Sequence, residues 1–60
     1  MNRKEKLDSL KKLYLLLERC DIVLDRYNNK EISAKTMNQS MKYLSRQIRD
    51  SEAEFSYLGS

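Results

Sequence analysis

No proline occurs in this chain and its one glycine is Gly59, so between Met1 and Leu58 only local polar chemistry can interrupt a helix. The fold class to expect is all-α. Apolar residues recur at Leu10, Leu13, Leu17, Cys20, Leu24 and Tyr27 in alternating steps of three and four, which is one stripe of an α-helix. A first helix is expected over about 3–27. Residues 28–33 read as a turn, because the asparagines in Asn28-Asn29-Lys30-Glu31 tolerate the left-handed conformation that ends helices. Ser33 has the chemistry of an N-cap whose hydroxyl accepts from the N–H of Thr36, and Ile32 before it can staple onto Met37. A second helix is expected over about 34–58, closed by Gly59. Its stripe is Ala34, Met37, Met41, Leu44, Ile48, Ser51, Phe55 and Leu58.

The two stripes share a period, so they can be tested against each other as an antiparallel, coiled-coil-like hairpin. One register then pairs Tyr27 with Ala34, Leu24 with Met37, Cys20 with Met41, Leu17 with Leu44, Leu13 with Ile48 and Leu10 with Ser51. A short helix-to-helix connection requires such a constant register. Carried further, it sets Lys6 against Phe55 and Arg3 against Leu58, where basic side chains can lay their stems on apolar surface. It also brings Arg3, Lys4 and Lys6 towards Asp50, Glu52 and Glu54.

The second helix is apolar on its seam alone. The first also carries Leu7 and Tyr14 on one flank, Leu16 and Val23 on the other, and Leu15 and Ile22 on the far side. A helix that is apolar nearly all round is a buried helix, and one partner cannot cover it. A single domain of 60 residues is also marginal by itself, and such chains gain stability from disulfides, metals or oligomers. One cysteine and no histidine leave the oligomer. The economical form is a homodimeric four-helix bundle, with Leu7, Tyr14, Leu15, Leu16, Ile22 and Val23 as its interface.

The residues point away from catalysis. Without histidine the commonest general base is missing, and Cys20, on the seam opposite Met41, reads as a small hydrophobe. Asp21 and Asp25, like Asp50, Glu52 and Glu54, read as solvated helix faces, and no nucleotide, metal or triad spacing is present. No cofactor, metal or small-molecule substrate is expected. The apolar run Leu13–Leu17 is far too short for a membrane span and no signal-peptide core follows the basic start, so the expected location is the cytosol. Charged residues make up 35%, yet the apolar positions are periodic, which argues against disorder.

The most suggestive surface is the polar face of the second helix. Lys35, Gln39, Lys42, Arg46 and Arg49 recur at steps of four and three with no acidic member, and Tyr43 sits beside them. Such a stripe meets phosphates or an acidic protein surface. Here Ile32-Ser33-Ala34-Lys35-Thr36-Met37 resembles the start of the recognition helix in helix-turn-helix DNA-binding domains. The resemblance covers six residues and implies that Lys35, Thr36, Asn38 and Gln39 read bases in the major groove. Glu31 stands where that family's turn wants glycine, and Tyr27 where its preceding helix wants a small residue. The leading expectation is instead a non-enzymatic regulator or adaptor, of the size class phages and bacteria use to modulate larger proteins such as transcription factors. It would dimerise and bind a larger protein; direct DNA binding is the alternative.

Overall fold

The computed structural model describes residues 3–58. Two helices build it, α1 over Arg3–Asn28 and α2 over Ala34–Leu58, packed on each other. At 1.5 Å per residue, helices of 26 and 25 residues are each about 38 Å long. The molecule measures 44 × 15 × 9 Å, so both lie along its long axis, and the short connection makes them antiparallel. This is a helical hairpin. The expected closure of α2 by Gly59 lies outside the described residues.

The connection terminates α1 in a definite way. Lys30 N–H donates to the Tyr27 carbonyl at 3.0 Å and Glu31 N–H to the Arg26 carbonyl at 2.9 Å, the paired bonds of a Schellman motif. That motif needs one left-handed residue, and it is Lys30, at φ 61°, rather than either asparagine. The hydrogen-bond pattern counts back from the helix end, so the left-handed position falls at Lys30 whatever the residue preference. Ser33 then caps α2: its Oγ accepts from Thr36 N–H at 3.2 Å and donates to Thr36 Oγ1 at 3.1 Å. Ile32 and Met37, the expected staple, are both half-buried.

On α2 the seam falls where its apolar stripe lies. Leu44 and Ser51 are buried, Met37, Met41, Ile48, Phe55 and Leu58 are half-buried, and Ala34 is exposed. On α1 the seam differs from the sequence expectation. Ser9 and Leu16 are buried and Leu13, Cys20 and Val23 half-buried, while Leu17 and Leu24 remain 45% and 42% exposed. Successive residues are about 100° apart on a helix, so exchanging Leu17 for Leu16 and Leu24 for Val23 turns α1 by roughly half that angle. The longitudinal register survives the turn, for Lys6 Nζ stands over the Phe55 ring.

The physical reason lies in α1 itself. Leucine or valine flanks the Leu13–Cys20 line on both sides, so hydrophobicity does not choose between them. Ser9 stands two turns before Leu16 and Ser51 two turns after Leu44. If Leu16 faces Leu44, that spacing sets the two serines in one layer, where small side chains suit close helix approach. Ser9 Oγ is buried there without a hydrogen-bond partner. At the surface, Lys12 Nζ meets Glu54 Oε2 at 3.8 Å, an exposed pair worth a few tenths of a kcal/mol.

Candidate interaction surfaces

Turning α1 splits its remaining apolar residues between two opposite flanks of the hairpin. On one flank Leu7, Leu10, Tyr14, Leu17 and Leu24 recur in steps of three and four, with Asp21 filling the gap. All except the half-buried Leu10 are exposed. This is a second heptad stripe alongside the seam, and no described residue buries it. Leu7 and Tyr14 of the expected dimer interface belong to it. Leu16 does not, being 7% exposed and committed to the intrachain core.

Leu15 and Ile22 lie on the other flank, both exposed. There the two helices leave an open groove of about 440 Å³ whose floor and walls include Ile22, Val23, Tyr43 and Leu44, with Arg19 and Gln39 at its margin. The groove falls between helices, which is why Arg19 has no signature in either helix's own periodicity. Val23 is therefore half seam and half groove wall.

The basic face of α2 is fully presented. Lys35, Gln39, Lys42, Tyr43, Arg46 and Arg49 are all exposed, and among the described residues none of the four cations is held in an ion pair. A shallow depression gathers Gln39, Lys42, Tyr43 and Arg46. Gln39 and Tyr43 line both this depression and the apolar groove, so the two adjoin on either side of these side chains.

Lys35 and the Lys42–Arg46 pair do not stabilise the helix that carries them. The first turn of α2 holds no acidic residue and its last turn no basic one, so Lys35 faces the positive end of the macrodipole. Lys42 and Arg46, one turn apart, repel each other.

Of the residues that the helix-turn-helix resemblance would put at bases, Lys35, Thr36, Asn38 and Gln39 are exposed, and the Ser33 cap has the form expected of a recognition helix. The surrounding geometry differs. Helix-turn-helix units cross at about 90–120°, whereas α1 and α2 run side by side along the hairpin. Cys20 is half-buried on the seam. Among the described residues no group of three His, Cys, Asp or Glu could hold a metal ion, and no helix is long and apolar enough to cross a membrane. No family model, curated protein or solved structure matches the chain.

Proposed function

We propose that this chain works by binding and not by catalysis: it forms a homodimer through the outer stripe of α1 and offers the basic face of α2 to a larger protein. The observation that carries the proposal is uncovered apolar surface. Leu16 and Leu44 are the only hydrophobic residues buried among those described, while Leu7, Tyr14, Leu17 and Leu24 stay between 42% and 63% exposed along one flank of α1.

The outer stripe suits a second copy of the same chain. In a two-fold interface the same patch meets itself, so its borders must carry both signs of charge. Lys11 and Glu18 flank the Leu7–Leu24 stripe one above the other, and an antiparallel pairing centred near Tyr14 brings each Lys11 towards the other copy's Glu18. The product is a four-helix bundle with the two α1 helices at its centre. By analogy of size, the expected role is modulation of a larger regulatory protein in the cytosol.

Light scattering tests the dimer. The unmodified chain should show twice its 7.2 kDa mass, and Leu17→Glu, which sets a charge in the interface, should show the single mass with its helices retained. A folded monomer for the unmodified chain sinks the reading.

A further inference from the structure

We infer that the groove between α1 and α2 receives an acidic amphipathic helix of the partner protein, with apolar anchors against Ile22, Val23, Tyr43 and Leu44 and carboxylates reaching Arg19, Lys42 and Arg46. The inference rests on the binding reading above and names the chemistry of the partner. Its carrying observation is an apolar groove that adjoins a cationic depression, the two sharing Gln39 and Tyr43. Neither is lined by an acidic residue.

Three features select this occupant. A second copy fits poorly, because two-fold pairing on this flank would set Arg19, Lys42 and Arg46 against a like-charged rim, whereas the outer stripe has borders of both signs. An extended peptide gains nothing either, since the hairpin offers no open strand edge and its backbone groups are spent within helices. What remains is side-chain docking, in which residues at helical spacing enter a groove and the opposite charge at its rim fixes direction. Ile22 and Tyr43, 45% and 61% exposed, are free to serve as its walls.

The test uses a synthetic helical peptide of about four turns, with leucines at steps of three and four and glutamates elsewhere, titrated into isotope-labelled protein. A second peptide carries lysines in place of the glutamates, and a single-stranded oligonucleotide is the third probe. The glutamate peptide should shift the amides of Ile22, Val23, Gln39 and Tyr43. Reversing charge in Lys42→Glu/Arg46→Glu should weaken it about tenfold or more, and Ile22→Ser should abolish it with helix content unchanged. Equal binding of the lysine peptide overturns the inference, as do shifts confined to Leu7 and Tyr14, or no shifts with any peptide up to about 1 mM. Tighter binding of the oligonucleotide at the same residues overturns it in favour of nucleic acid, and concentration-dependent shifts of the groove in peptide-free protein overturn it in favour of a second copy. Repeating the titration on the Leu17→Glu chain separates the two readings: peptide binding by a monomer retains the groove whatever the dimer does, and a dimer that binds no peptide fails on the groove alone.

Discussion

The Lys6 ammonium stands over the Phe55 ring, 5.5 Å from its centroid, and so joins α1 to α2 near the open end of the hairpin. Phe55 is half-buried and Lys6 exposed. The aliphatic stem can cover ring surface while the charge meets the negative face of the ring.

A double-mutant cycle isolates that contact. Lys6→Met keeps the stem and removes the charge, while Phe55→Leu keeps apolar bulk and removes the ring. The coupling should be about 0.5 kcal/mol, the low end for exposed cation–π pairs, read from denaturant unfolding at fixed protein concentration. Coupling within error of zero would reduce Lys6 to a bystander.

Lys30 holds the left-handed position of the Schellman motif, where a Cβ is unfavourable. Glycine has no such penalty, so Lys30→Gly should stabilise the chain by about 1 kcal/mol. Lys30→Val, β-branched, should do the opposite. Both are measured by the urea midpoint. If glycine lowers it, the turn does not persist in this form in solution.

The hairpin was legible because helix-breaking residues are missing and because α2 is apolar on one face alone; its seam could fall in one place. The cap was legible for a similar reason, Ser33 and Thr36 being a local pair whose bond depends on nothing distant. The α1 seam was not. Leu16 and Leu17, or Val23 and Leu24, are interchangeable as hydrophobes, and the choice between them depends on packing against α2, where Ser9 and Ser51 are the most buried residues. That choice also decides the surfaces. Turning α1 takes Leu16 out of any dimer interface, gathers Leu10, Leu17 and Leu24 beside Leu7 and Tyr14, and opens the groove at Ile22. The basic face needed no such knowledge, since it lies wholly on α2 and opposite its seam.

Ser9 and Leu16 make opposite predictions although both are buried on the α1 seam. Ser9 Oγ is buried with no hydrogen-bond partner, so Ser9→Ala removes a desolvated hydroxyl and adds helix propensity. Stability should rise by about 1 kcal/mol. Leu16→Ala should cost about 3 kcal/mol, the middle of the range for leucine truncation in a core. Thermal unfolding distinguishes them, with midpoints moving in opposite directions. Loss of stability in Ser9→Ala would show that the hydroxyl is satisfied in solution.

The last prediction separates a protein partner from DNA. If Lys35, Lys42, Arg46 and Arg49 neutralised phosphates, the logarithm of affinity for duplex DNA would fall against the logarithm of salt with a slope of about 0.9 per phosphate, and removing one cation would lower that slope by about one. We expect instead negligible DNA affinity near physiological salt, together with loss of partner capture when all four residues become alanine. The charge is too small and too divided for a backbone: each chain carries +3, and Asp50, Glu52 and Glu54 follow the cations along α2, so a duplex lying along the helix would meet repulsion in its second half. An acidic helix docked across the groove near Tyr43 would meet Arg19, Lys42 and Arg46 without reaching that acidic run. Salt titration by fluorescence anisotropy on the purified chain and on the quadruple variant gives the answer. Tight, sequence-selective binding of DNA by the unmodified protein would assign the stripe to nucleic acid.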